Sequence, residues 1–333
     1  MTRIEFLGSS KLQLIDVPDL VPGSGEVVVR TAASAICGSE LGTFRGVGMS
    51  GGNPGHEAVG TIAVLGEGVD CLKVGDRVGV SAIAGCGSCD YCAAGQYTWC
   101  NAFRFFPNMH AEQFTAAANA CHPLPDDLDW DVATLLTGDG LGVPYHTSAK
   151  IADPAIKTVA VFGLGPIGLG NVLLQSFLGR RVLGVDINPT RRRFAEELGA
   201  EAVFDAAADD PVVEQIREAT GGIGADVAIE AAGRPETAKQ CFPAVRKGGT
   251  VVFNGEQPAV ELSPSDDFIR RDITAVGAWF YHFCEFPAML ELYRSGLRVG
   301  DLISHRFGIS EAQEAYRVAS EGEAAKALFV YSG

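Results

Sequence analysis

An apolar run, Thr158–Phe162, breaks directly into Gly163, Leu164, Gly165, Pro166, Ile167 and Gly168, and a helical pattern follows. No other stretch restricts the fold as much. A strand that turns on three glycines into a helix is half of a βαβ unit, and such units lie in a parallel sheet with helices on both faces. The first glycine permits the turn, and the second lets the backbone approach a pyrophosphate. The third lets helix and strand pack closely, with phosphates at the helix N-terminus. Pro166 sits where its missing N–H costs little. Gly163, Gly165, Pro166, Ile167 and Gly168 are therefore the candidate contacts to a dinucleotide. The next strand ends at Asp186, 18 residues beyond Gly168. A carboxylate there can accept hydrogen bonds from the adenosine ribose hydroxyls and repels a 2′-phosphate, which favours NAD. Arg191, the first of three consecutive arginines, argues for NADP, and it is counted with the nucleotide site.

The alternation continues on both sides of this motif. Strand patterns over 181–185, 202–204, 227–230 and 250–253 are separated by helical patterns over 190–198, 211–220 and 235–245. The first 120 residues read differently, as short strands at 26–31 and 58–65 broken by glycine and proline. The chain is accordingly of the α/β class, an irregular β-rich domain plus a doubly wound, Rossmann-type parallel sheet. The tail, with helical patterns at 286–294 and 311–319 and a last strand at 327–331, has no βαβ partner of its own. It can return to complete the first domain.

Nine cysteines occur, and four of them, Cys86, Cys89, Cys92 and Cys100, fall within fifteen residues. Four thiolates in so short a loop suit a closed tetrahedral zinc site of structural character, with an iron–sulfur cluster as the alternative. A chain of 333 residues that is 47% apolar does not need a disulfide scaffold, so metal-bound thiolates in the reducing cytoplasm are expected. The formal net charge of −15 opposes nucleic-acid binding. No secretion signal is read at the N-terminus, and no uninterrupted apolar run reaches the length of a membrane span. A second set of ligand types, Cys37, the pair His56 and Glu57 between Gly55 and Gly60, and Asp139, is scattered along the chain. It gains meaning only if the fold gathers it.

With Gly55-His56-Glu57-x2-Gly60-x5-Gly66, the four-cysteine lobe and the glycine-rich turn in that order, the chain resembles the zinc-containing medium-chain alcohol and polyol dehydrogenases over essentially its whole length. The resemblance implies a GroES-like catalytic domain over 1–146 carrying a zinc lobe at 85–101, an NAD-binding domain over 147–288 and a return segment over 289–333. It implies two zinc ions per chain. The structural one would be held by Cys86, Cys89, Cys92 and Cys100. The catalytic one would be held by Cys37, His56 and Asp139, with Glu57 close behind as an exchange ligand. Glu40 takes the place of an acid that hydrogen-bonds the ligating histidine. Ser39 takes the place of the hydroxyl that receives the substrate proton, and Lys326 resembles a basic residue near the pyrophosphate. Gly42 stands where some relatives have a histidine relay, which leaves the last proton transfer to solvent or to another group.

The implied reaction is reversible hydride transfer from a secondary alcohol to NAD, giving the ketone. Phe44, the 103–110 segment and Trp279 are expected around the substrate, and Arg104, Asn108 and His110 there favour a polyol, cyclitol or sugar. Alkyl alcohols and an aldehyde-dismutating activity are the alternatives. The ligand set argues against a zinc-independent quinone or enoyl reductase, and against a non-catalytic protein. A homodimer or homotetramer is implied, with the 273–279 segment as a candidate edge.

Overall fold

The computed structural model describes residues 1–208 and 211–331. The chain divides into two compact units. One comprises Met1–Gly142, His282–Ser295 and the chain from Val299 onward, and the other comprises Val143–Tyr281 with Gly296–Arg298. The exchange points thus fall at 142 and 282, somewhat ahead of the expected 146 and 288, because the helix Asp139–Lys150 runs through the first of them.

The first unit opens with a hairpin of β1 (Thr2–Gly8) and β2 (Lys11–Asp16). Its main sheet is built on β3 (Glu26–Ala35), β4 (Ala58–Leu65) and β5 (Arg77–Val80), paired antiparallel in that order. A short ribbon of β6 (Ile83–Ala84) and β7 (Arg104–Phe105) flanks the cysteine lobe. β8 (Gln113–Ala117) pairs with the first half of β3, and β9 (Cys121–Pro123) with β5. Val27, Val28 and Val29 in β3 are all fully buried, as in a strand covered on both faces rather than an alternating edge strand.

The second unit holds β10 (Thr158–Phe162), β11 (Arg181–Asp186), β12 (Ala202–Asp205), β13 (Ala225–Glu230), β14 (Val245–Phe253) and β15 (Thr274–Gly277). All pair in parallel in the order β12-β11-β10-β13-β14-β15. Val159, Ala160, Val161 and Phe162 have no exposed surface, which explains their unbroken apolar run. Connections leave β10 toward β11 and then return to β13, so the strand order reverses beside β10. Ligands of open α/β sheets bind at such a reversal.

The tail contributes β16 (Ile303–Phe307) and β17 (Lys326–Val330), paired in parallel. β17 then lies antiparallel on the second half of β3, with Leu328 opposite Ala35 and Phe329 opposite Ser34. One strand, β3, therefore carries β8 at its start and the C-terminal strand at its end. Among the described residues no helix is long and apolar enough to cross a membrane.

Candidate active site

Cys37 lies just beyond β3, on a turn tied to β17 by the bond from Ile36 N–H to Ala327 O at 3.0 Å. His56 and Glu57 immediately precede β4, and Asp139 begins the helix Asp139–Lys150. The sheet brings these four together, with one ligand atom from each lying within 4.8 Å of all the others. Asp139 Oδ2 is 3.0 Å from His56 Nε2 and 3.5 Å from Cys37 Sγ. Tetrahedral zinc with bonds of about 2.0 Å to nitrogen or oxygen and about 2.3 Å to sulfur has edges of about 3.3–3.5 Å. His56 Nδ1 bonds Pro54 O at 2.9 Å, which leaves Nε2 as the nitrogen facing the cluster.

All four residues are buried, and one sulfur and two carboxylates crowd one histidine. Burial pushes the Cys37 thiol up and the Asp139 charge adds to it. Burial alone would lower the His56 pKa, but Asp139 and Cys37 hold it well above the ordinary histidine value. A set that draws a proton in this way has the charge and the donor chemistry to take a divalent cation. The three formal anions of the set, Lys326 and a doubly charged ion sum to zero, with the Glu40 carboxylate behind Cys37 lying outside that set.

The sequence did not predict the partner that Lys326 has within the first unit: its ammonium is 2% exposed and bonds Glu57 Oε1 at 2.5 Å, because β17 runs beside the loop that leaves β3. Burial works against the lysine charge, and Glu57 more than offsets it. Burial pushes the Glu57 carboxyl up, with Lys326 opposing. Glu57 Oε2 also accepts from Gly140 N–H at 3.3 Å, beside Asp139.

A correction concerns Glu40. Its Oε1 is 3.8 Å from His56 Nδ1, too far for the expected bond. That oxygen accepts from Cys37 N–H at 3.1 Å, and Oε2 accepts from His110 Nε2 at 2.9 Å and from the Tyr316 hydroxyl. Burial would raise the Glu40 carboxyl, yet His110 and the other donors hold it below the usual carboxylate range. Phe44 and His110, expected around the substrate, are buried, Phe44 in a cluster with Phe6 and Tyr316. The accessible groups at the cluster are Ser39, whose hydroxyl donates to Cys37 Sγ at 3.3 Å, and Phe105, whose ring is 5.5 Å from that of His56.

In the cysteine lobe, Cys89 and Cys92 have their sulfurs 3.5 Å apart, and Cys86 and Cys92 are 3.8 Å apart. Cys100 completes a set within 4.8 Å. These separations match the edge of about 3.8 Å of a four-sulfur tetrahedron. Hydrogen bonds from Ser88 pull the Cys86 thiol down to about 6. The lobe packs on the return segment, with Tyr97 stacked on Phe283 at 5.0 Å and Cys284 N–H on Gly95 O at 3.1 Å.

In the second unit the glycine turn sits at the reversal beside β10. Gly163 has φ of +90°, and a Cβ there would come within 2.6 Å of Ala232 N. A Cβ on Gly168 would meet Gly163 O at 1.8 Å, whereas one on Gly165 would meet nothing within 4 Å. The turn is thus closed toward the sheet and open at Gly165, with Pro166 and Ile167 half-buried at the helix start. Asp186 Oδ2 accepts from Leu164 N–H at 2.7 Å and Oδ1 from Asn188 N–H at 2.8 Å, so the acid braces the turn. Arg191 Nη1 lies 3.8 Å from Asp186, whereas Arg192 is engaged with Asp186 O and Asp205. Glu230, missed in the sequence, braces the opposite turn by accepting from Ala232 and Gly233 N–H, each at 3.0 Å. Only its place at the end of a strand could have pointed to it.

Residues 23–126 match the family described as the alcohol dehydrogenase GroES-like domain, and residues 166–295 match the zinc-binding dehydrogenase family. The chain is 30% identical to a sorbitol dehydrogenase of Halalkalibacterium halodurans, over 96% of each chain. It is 32% identical to the sorbitol dehydrogenase of Arabidopsis thaliana, over 94% of this chain and 91% of that one. The solved structure of alcohol dehydrogenase TADH from Thermus sp. ATN1 superposes with a TM-score of 0.87 at 28% identity, covering 99% of both chains.

Proposed function

The chain belongs to the zinc-dependent medium-chain alcohol and polyol dehydrogenases, and on that premise we propose that it oxidises a secondary hydroxyl of a polyol, cyclitol or sugar to the ketone, reversibly and with NAD. The observation that carries this is the buried cluster of Cys37, His56, Glu57 and Asp139 with the accessible Ser39 hydroxyl beside it. Cys37, His56 and Asp139 would hold a catalytic zinc, and Cys86, Cys89, Cys92 and Cys100 a structural one. When bound, the catalytic metal polarises the substrate oxygen and the nicotinamide carries the hydride.

The protein's own residues then have defined tasks. Ser39 Oγ, exposed beside the cluster, would receive the substrate hydroxyl proton and hand it on by way of the cofactor ribose, and with glycine at position 42 the last transfer falls to solvent or to another group. Lys326 holds Glu57 in place and offsets one of the carboxylate charges around the cluster, and Phe105 supplies an apolar wall on the accessible side. Asp186 favours a free 2′-hydroxyl, while Arg191 beside it is the observation that supports a second reading with NADP.

The test is oxidation of a panel of polyols, cyclitols, sugars and alkyl alcohols with NAD and with NADP, with metal counted on the same sample. Turnover of a polyol class with NAD at two zincs per chain is the expected result. Preference for alkyl alcohols would defeat the substrate assignment, and a single zinc per chain would defeat the two-site reading. Asp186→Ser should shift the NADP to NAD ratio of kcat/KM upward by about tenfold or more, because one charge near the 2′-phosphate is removed. An unchanged ratio would dissociate Asp186 from nucleotide choice.

A further inference from the structure

His110 has no exposed surface. Its Nε2 is 2.9 Å from Glu40 Oε2, and its Nδ1 is 2.9 Å from Ser34 Oγ, which lies 3.2 Å from the Tyr331 hydroxyl. The Glu40 carboxylate can only accept, so the ring proton is assigned to Nε2; in the neutral ring Nδ1 then accepts from the Ser34 hydroxyl, which leaves Ser34 Oγ to accept from Tyr331. Glu40 in turn accepts from Cys37 N–H, so the His110 ring is linked through one carboxylate to the turn carrying the sulfur ligand.

The same residue also supports the loop carrying His56. A Cβ on Gly55 would come within 2.4 Å of the ring's Cδ2, so only glycine allows that approach beside His56. The His110 main chain is clamped by the fully buried Asn53. Its N–H donates to Asn53 Oδ1 at 3.2 Å, and Asn53 Nδ2 donates back to its carbonyl at 3.1 Å. Asn53 Oδ1 also accepts from Gly55 N–H at 3.1 Å. One side chain thus reaches both ligand-bearing segments, the Cys37 turn through Glu40 and the His56 loop at Gly55.

We propose that His110 is a positioning residue of the metal centre, holding Glu40 as a buried anion beneath Cys37 and the Gly55–His56 backbone against its ring, and so fixing the spacing of two ligands. The physical reason is the cost of a buried carboxylate, which is tolerable only while its donors stay in place. Removing the His110 donor forces Glu40 to find another partner, and the Cys37 turn moves with it. Partners behind metal ligands affect metal retention by about 10–100-fold.

The inference rests on the reading that the mixed cluster binds a metal, and the experiment separates the two. Both sites are loaded with cobalt(II), and removal by a chelator is followed through the visible bands. The four-thiolate site and the site with one sulfur, one nitrogen and oxygens absorb differently. A wild-type protein that shows only the four-thiolate bands would overturn the metal reading and this inference together. In His110→Phe, which keeps the ring packing, we expect the mixed site to lose cobalt at least about tenfold faster, with shifted bands, and the lobe at the wild-type rate. Adding Glu40→Gln removes the stranded charge and should bring the rate back to within about threefold of wild type. Wild-type rates in His110→Phe, or a double variant as fast as the single one, would overturn the inference alone. If the Phe variant loses both metals together through misfolding, Ser34→Ala decides. Faster loss from the mixed site only supports the inference, and wild-type rates at both sites overturn it.

Discussion

The cysteine lobe and the mixed cluster each gather four donors within 4.8 Å, yet they are assembled in opposite ways. The lobe's ligands fall within fifteen residues on one loop between short elements, and Cys86 is exposed. The cluster's ligands come from the end of β3, the start of β4 and the head of a helix, with Lys326 added from the C-terminal strand. A local, all-thiolate set needs little of the fold and can act as a staple. A buried, mixed set exists only once the sheet has closed, and it has a solvent-reachable hydroxyl at its edge. The proposed function places the chemistry at the site that the whole fold must build.

Asp139→Asn strikes that distinction hardest. The amide keeps the shape but removes one anionic donor from a set whose charges balance around a divalent ion. We expect kcat/KM to fall by about a hundredfold or more, with one metal lost per chain, the lobe metal retained and the melting temperature little changed. Steady-state kinetics with metal analysis checks this, and unchanged activity and metal content would remove Asp139 from the ligand set.

Cys100→Ser tests the other side. Cys100 is 2% exposed and completes the thiolate set, so its loss should release the lobe metal and cost about 3 kcal/mol. For a domain of this size that is a drop of about 6–12 °C in Tm, read by calorimetry. Turnover of the folded enzyme should persist. Lost turnover at an unchanged Tm would mean that the roles of the two sites are reversed.

The same contrast decides what was legible in the sequence. The nucleotide turn could be read because its strand, glycines and helix are contiguous, and β10 spans the expected residues. The lobe could be read because its spacing is local. For the cluster, the resemblance supplied Cys37, His56 and Asp139, but periodicity could not show that the fold gathers them. The partners behind them are harder to read. Glu40 is expected on His56, and the pairing of Lys326 with Glu57 is not foreseen, because both true partners depend on long-range pairing. Lys326 reaches Glu57 only because β17 docks on β3, and His110 reaches Glu40 across 70 positions of sequence. His110 looked like a polar residue in an apolar string, and nothing local marks it as buried. β14 also begins earlier than its apolar run suggests, since polar Arg246 and Lys247 extend the strand before the buried Val251 and Val252.

The smallest effect expected concerns how the lobe side of the first unit grips the return segment. His122 in β9 stacks on Phe283 at 3.9 Å and lies 4.6 Å from Phe286, both of the returning chain. Burial lowers its pKa to about 3 from the ordinary value of 6.5. The unfolded chain takes up a proton near pH 6.5, and the folded chain does not until about pH 3. Stability from this group is therefore complete above pH 6.5 and declines as the pH falls toward 3, by at most about 1.4 kcal/mol per pH unit. At pH 5 the loss is about 2 kcal/mol. His122→Phe keeps an aromatic ring in the stack and removes the titration. Urea unfolding at pH 7 and pH 5 should show the variant losing about 2 kcal/mol less than the wild type over that interval. An identical loss in both would mean that His122 takes up its proton in the folded state as readily as in the unfolded one, and that the ring grip on the return segment is open to water.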